Sequence, residues 1–242
     1  MKIKDNVIFA IVLFILWQCI SVCIGNNIIL PQPFEVFFSM LIQFFSPFFF
    51  PTISMTVFRV LFSLFISFFC AIILVFVLFK NRKLSIYFDQ FLLIIRSLPN
   101  VTIILLLLFW LNREVSVITV CFLLLFPMIY QNLKESLSSI YDEWKDVIRM
   151  NPQPFFPLIR YVYLPLMVTS IKASLINGSS LGFKVGIMAE ILSQVPVGMG
   201  RQIQFARLDI DLAGMMGWTI WLLIFVFIFD YLFKKFINRI FR

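Results

Sequence analysis

The sequence predicts an all-α fold: a polytopic transmembrane helical bundle of six spans with both termini on the cytoplasmic side. Three observations point there. Of 242 residues, 62% are hydrophobic and 13% charged, with a mean hydropathy of +1.01, where a water-soluble domain has roughly 45–50% apolar and about 25% charged residues. The apolar residues gather in runs of about 17–25, each long enough to cross ~30 Å of hydrocarbon as a helix. Lys and Arg sit at the ends of those runs, most of them on one side, which is how basic residues fix orientation.

Taken in order, spans are expected over residues 7–24, 53–79, 91–110, 115–133, 168–192 and 212–233. The first run follows Lys2 and Lys4, as a secretory signal does, but it is long for one. Val22 before Cys23 is also a poor residue for lipoprotein cleavage, so the run reads as a span. Pro31, Pro33, Pro47 and Pro51 then interrupt an apolar stretch too often for a regular crossing, and an interfacial helix between Phe34 and Phe45 is expected. With both ends inside, the cytoplasmic side holds Lys2, Lys4, Lys80, Arg82, Lys83, Arg96, Lys134, Lys145, Arg149, Arg160, Lys172, Lys234, Lys235, Arg239 and Arg242. The outside holds Arg113, Arg201 and Arg207, while Arg59 and Lys184 fall within spans. One long polar excursion, residues 134–164, lies inside and carries Glu135, Asp142, Glu143, Trp144 and Asp146. A helix–turn–helix of that size, broken by Pro152, Pro154 and Pro157, exceeds ordinary connections and points to a partner surface.

Composition also excludes. The 32 Phe residues partition into hydrocarbon much as Leu does and indicate no ligand. The net charge of +8 belongs to span ends, so it suits lipid headgroups and topology and does not indicate nucleic acid. Cys19, Cys23, Cys70 and Cys121 lie in apolar segments and the chain has no His, which leaves no disulfide framework, zinc site or haem site. The stretch from Gly178 through Gly182 to Lys184 has the wrong spacing for a phosphate-binding loop and lies in a span, so ATP has no site here.

Several separate motifs agree on a family. They are Leu30-Pro31-Gln32-Pro33 with Val36, then Thr56, Arg59 and Val60, then Arg96-Ser97-Leu98-Pro99. Later come Leu164-Pro165, Ala189-Glu190, Gly198-Met199-Gly200 and Asp211-Leu212-Ala213-Gly214. From about Leu30 to the C-terminus the chain resembles permease subunits of binding-protein-dependent ABC importers, in the branch that serves sulfonates, taurine, nitrate and similar solutes. The family's inner-loop signature reads Glu-Ala-Ala, then Gly, then Leu-Pro after a fixed gap. Here Asp146, Val147 and Ile148 fall on the first three positions and Pro152 on the Gly, so the turn cannot use the left-handed backbone that Gly allows.

The resemblance implies a type I importer permease fold in one domain spanning 1–242, with a core over 52–233 and a coupling loop over 134–165. It implies a multi-pass protein of the cytoplasmic membrane and a homodimer. It also implies two ATPase partners that bind ATP and Mg, an external solute-binding protein, and no cofactor or catalysis on this chain. A coupling helix near residues 151–160 is then expected to fit a groove on the ATPase. Phe155 and Phe156, flanked by Arg149 and Arg160, would form its apolar knob, and Asp146, Pro152, Leu164 and Pro165 complete the segment.

Within the fifth span, Ser174, Gly178, Gly182, Gly186 and Glu190 recur every four residues, a small-residue ridge on which another helix can pack closely. Ser170, Asn177 and Lys184, spaced by sevens, lie on the roughly opposite side. Asn177, Ser180 and Lys184 are the candidate pathway residues. A mid-span Lys costs about 2.5–3.5 kcal/mol on insertion scales unless it meets a partner or water. Two readings follow: Lys184 favours anionic solutes in a pathway, or it is held in a buried ion pair, the commoner fate of such residues. In the second span Thr52, Thr56, Arg59, Ser63 and Ser67 share a stripe, and Arg59 and Glu190, both toward the outer ends of their spans, are expected to pair structurally.

Two other function classes compete. A secondary transporter commonly carries inverted repeats and a mid-span acid, and neither is visible. A membrane enzyme usually needs His, paired acids or an activated nucleophile, and His is absent.

Overall fold

In lipid every backbone N–H and C=O needs a partner within the chain, and the chain meets this demand with helices alone. The computed structural model describes the backbone of residues 3–240 and the side chains of 11–240. Lys2 and Arg242 of the orientation argument, and the side chain of Lys4, lie outside the described residues. Among the described residues there is no strand.

The helices are α1 (Ile3–Ile24), α2 (Pro33–Phe45), α3 (Phe49–Phe79), α4 (Arg82–Ser97), α5 (Asn100–Trp110) and α6 (Arg113–Met150), then the short α7 (Phe155–Leu158). A π-helical turn (Ile159–Tyr163) leads to α8 (Leu164–Leu166), α9 (Val168–Ser193), α10 (Met199–Leu208) and α11 (Leu212–Ile240). The helices α3, α6, α9 and α11 are each long and apolar enough to cross a membrane. The interfacial helix expected over 34–45 is α2, and Pro33 at its start costs nothing there because the first helical N–H needs no partner.

The span expected over 91–110 is not one rod. The chain forms α4 and α5, bent by 95° at the break between them. The cause is local: Pro99 has no N–H to continue the ladder, and Leu98 before it is driven to an extended backbone at φ −74°, ψ 136°. At about 1.5 Å per residue, the 11 residues of α5 reach only about half of ~30 Å.

The inner excursion also differs from expectation. The span expected over 115–133 continues unbroken as α6 to Met150, so the excursion has no separate first helix. After Met150 the turn runs through Asn151 at φ −131°, ψ 78° and uses no left-handed residue, which accommodates Pro152 where the family has Gly. The expected helix over 151–160 begins only at Phe155 and runs on to Leu166. It widens to π geometry ahead of Pro165, with Leu164 N–H donating to the carbonyl of Ile159, five residues back. A wider turn relieves the clash that a proline ring makes with an ordinary α-helical turn.

The core is the packing of α3, α6 and α9 on one another. The small residues of α9 make it possible: a Cβ on Gly178 would stand 2.7 Å from Leu64, on Gly182 3.0 Å from Val60, and on Gly186 2.8 Å from Val60. On a second flank α11 lies against α2. Phe44 stacks on Trp221 at 5.6 Å, Phe49 on Trp218 at 5.9 Å, and Gln43 donates to the carbonyl of Gly214 at 2.9 Å.

Candidate functional site

Three arrangements come from this framework. The first is a charged knot near the end of the bundle that carries α10. Arg59, fully buried in α3, grips Glu114 at the start of α6 with a two-pronged bond, Nε to Oε2 at 2.7 Å and Nη2 to Oε1 at 2.8 Å. Its Nη1 donates to Oε1 of Glu190 in α9 at 2.5 Å. Glu190, also fully buried, accepts from the N–H of Gly200 at 2.9 Å, and its oxygens stand 3.0 Å from Thr56 Oγ1, which in turn accepts from Met199 N–H at 2.9 Å. One cation and two carboxylates thus join α3, α6 and α9 and pin α10 across them. Arg59 and Glu190 meet as their positions suggested. Glu114 escaped the sequence reading because it lies in the first turn of its helix, beside Arg113, and reads as a surface residue.

Gly200 sits where only hydrogen fits. A Cβ there would lie 2.6 Å from Glu190 Cβ, 2.7 Å from the carbonyl oxygen of Ile187 and 3.0 Å from the nitrogen of Ile191, and backbone cannot step aside. Gly200→Ala is therefore expected to destabilise the chain by about 1–3 kcal/mol and to loosen α10. A lowered thermal midpoint in detergent, with faster proteolysis between α9 and α11, is the readout; an unchanged midpoint contradicts the close packing.

The second arrangement is the polar side of α9. Ser174, Gly178, Gly182, Gly186 and Glu190 are buried, and the side bearing Ser170, Asn177 and Lys184 is not: Ser170 is half-buried, Asn177 and Lys184 exposed. Ser170 and Asn177 border a recess of about 370 Å³ with Asn132, Glu135 and Ser136 of α6. Lys184 is not in a buried ion pair, the reading that sequence reasoning favoured: it stands exposed and makes no salt bridge among the described residues. Ser180, on the same side at about 100° per residue, donates to Asp230 of α11 at 2.7 Å. Asp230 is partly buried in a helix long enough to cross a membrane and falls near the end of its predicted span, where the sequence reading, which looked for an acid at mid-span, gave it no role.

The third arrangement is a protruding tip. Where α6 ends and α7 begins, Trp144, Val147, Met150, Phe155 and Phe156 are exposed, the last at 72%. Asp146 and Arg149 are exposed too and approach each other at 3.8 Å, a contact worth little in water. Pro152 lies on the turn, Arg160 points to solvent beside the ring of Tyr161, and Lys80 lies 5.9 Å over the ring of Phe155. Leu164 and Pro165 form the return toward α9, where Tyr163 is buried at 5.7 Å from Phe79. Contiguous exposed apolar side chains on a folded surface mark a contact site.

Residues 63–242 match the family model described as "Binding-protein-dependent transport system inner membrane component". The match takes in Glu114, Glu190, the α9 ridge and the tip, while Thr56 and Arg59 precede it. A search of curated proteins found no match.

Proposed function

The chain belongs to the family of binding-protein-dependent transport system inner membrane components, and from that membership we propose that it is the solute-conducting permease subunit of an importer. The family is one of ABC transporter permeases, which work with an ATPase and a solute-binding protein, and the apolar helices make this chain a multi-pass membrane protein. We infer the following assembly. Two copies of the chain form the route, two ATPase subunits carry ATP and Mg, and a binding protein outside the cytoplasmic membrane delivers the solute. Six crossings, with α1 and the bent α4–α5 pair added to the four long helices, put both termini and the α7 tip inside. The tip, with Asp146, Arg149, Phe155, Phe156 and Arg160, seats on the ATPase.

One observation carries the pathway: an exposed polar side on a helix of membrane-crossing length, with Lys184 on it. A Lys and an Asn facing lipid are expensive, so this side of α9 faces water or a second copy. Two Lys184 ammonium groups, one per copy, favour a small organic anion such as a sulfonate or carboxylate. In proteoliposomes holding the whole importer, Lys184→Met is expected to cut uptake of an anionic solute roughly tenfold relative to a neutral analogue, the effect of about 1.4 kcal/mol. An unchanged preference between the two solutes removes Lys184 from the pathway.

A further inference from the structure

At the end of the bundle opposite the Arg59 knot, a cavity of about 580 Å³ opens between α3, α4 and α6. One wall is apolar, from Val75 and Leu78 of α3 and Leu137 of α6. The facing wall begins with the first turn of α4, where Arg82 and Ser85 border the space. Asn81 caps this helix by accepting from Leu84 N–H at 3.3 Å, so the N–H groups of Arg82 and Lys83 are left at a positive helix end that attracts anions.

The independent observation is Tyr130, which also lines the cavity. Its ring is fully buried, yet its hydroxyl makes no hydrogen bond among the described residues, although Ser85 is a neighbour. A buried hydroxyl without a partner costs about 1–3 kcal/mol, a cost that a ligand oxygen reaching it from the cavity would remove. The charge balance favours an anion. Lys134 is in the lining, bonded to Asp89, and Lys80, Arg82 and Lys83 crowd the same end of α3 and α4 against Asp142, the one carboxylate on the wall. Arg82 makes no ion pair among the described residues.

A ligand that suits this space is an anion at one end and apolar at the other. We propose that the cavity binds the phosphate of an anionic membrane phospholipid. Arg82 and the α4 N-terminus take the phosphate oxygens, Tyr130 donates its hydroxyl, and the acyl chains follow the apolar wall out along α3. Basic pockets between spans at a membrane surface recognise lipid headgroups in this way. The inference is independent of the transported solute and of any reading of Lys184.

Native mass spectrometry of the intact importer, exchanged through nanodiscs of phosphatidylglycerol or phosphatidylcholine, tests it. The expected result is a preference for retained phosphatidylglycerol of roughly fivefold, the effect of about 1 kcal/mol for one cation at a membrane surface. It falls to parity in Arg82→Gln, whereas Tyr130→Phe lowers the retention of both lipids because both carry the phosphate, and millimolar inorganic phosphate does not displace the lipid. Arg82 is exposed and Tyr130→Phe removes only the hydroxyl, so both variants keep the fold, which their thermal midpoints check. Equal retention of the two lipids by the natural chain, or an unchanged preference in Arg82→Gln, overturns the proposal. Displacement by inorganic phosphate overturns it as well, by assigning the site to a soluble anion.

Discussion

Arg59→Met is expected to lower the stability of the chain by about 3–5 kcal/mol, the range for removing one partner from a buried charge pair. Methionine fills most of the space, so the loss is electrostatic: Glu190 is left fully buried with its negative charge opposed only by Thr56 and the N–H of Gly200, and Glu114 loses its two-pronged partner. Glu190→Gln is expected to cost less, because Arg59 keeps Glu114. The double variant Arg59→Met, Glu190→Gln should recover part of the single loss, since it no longer buries an unpaired carboxylate. Thermal midpoints of the three variants in one detergent decide this. A double variant that is simply the sum of its parts, or an Arg59→Met chain as stable as the natural one, removes the knot as a stabilising element.

How far this arrangement is legible in the sequence depends on what each residue has to meet. Arg59 and Glu190 are readable because an ionised group inside an apolar run must find an opposite charge, and each is the charged residue of its predicted span that lies toward the outer end. The ridge from Ser174 to Gly186 is readable because periodicity alone places small residues on one side. Glu114 is not, since its role depends on the tilt that brings the start of α6 over Arg59, and no local pattern encodes tilt. Lys184 misled for the opposite reason: burial was inferred from its position in an apolar run, while the fold exposes it on the side of α9 opposite the glycine ridge that packs on α3 and α6.

The bend at Pro99 and the continuity of α6 teach a related point. Both Pro99 and Pro127 sit in apolar stretches, yet the chain breaks by 95° at the first and continues as one helix through the second. Pro127 is buried in the packed core of α6 against its neighbours, where the helix is held on several sides. Pro99 stands in a stretch whose side chains are mostly exposed, and there the proline's own preference decides. Hydropathy reads both stretches alike, and packing distinguishes the continuous helix from the bent pair.

The largest functional effect is expected at the α7 tip. Phe156→Ala should weaken the hold of the ATPase by roughly thirtyfold or more, the size of a contact worth at least 2 kcal/mol at the centre of an interface. Phe156 is 72% exposed, so the substitution leaves the bundle intact and the thermal midpoint of the isolated chain should not move. Val147→Ala, on the last turns of α6 and smaller, should cost less if the aromatic knob is the centre of contact and the helix end its rim. Co-purification of the ATPase with each variant, and ATP hydrolysis stimulated by the loaded binding protein, separate docking from folding. Equal recovery of the ATPase with Phe156→Ala and the natural chain places the docking surface elsewhere. Recovery that falls in proportion to exposed apolar area, without a central residue, favours a diffuse contact along α6. The distinction bears on coupling. Under the proposed docking, a single aromatic just ahead of the π-turn and Pro165 would pass a push from the ATPase toward α9, while a diffuse surface on the end of a long helix would absorb it by bending.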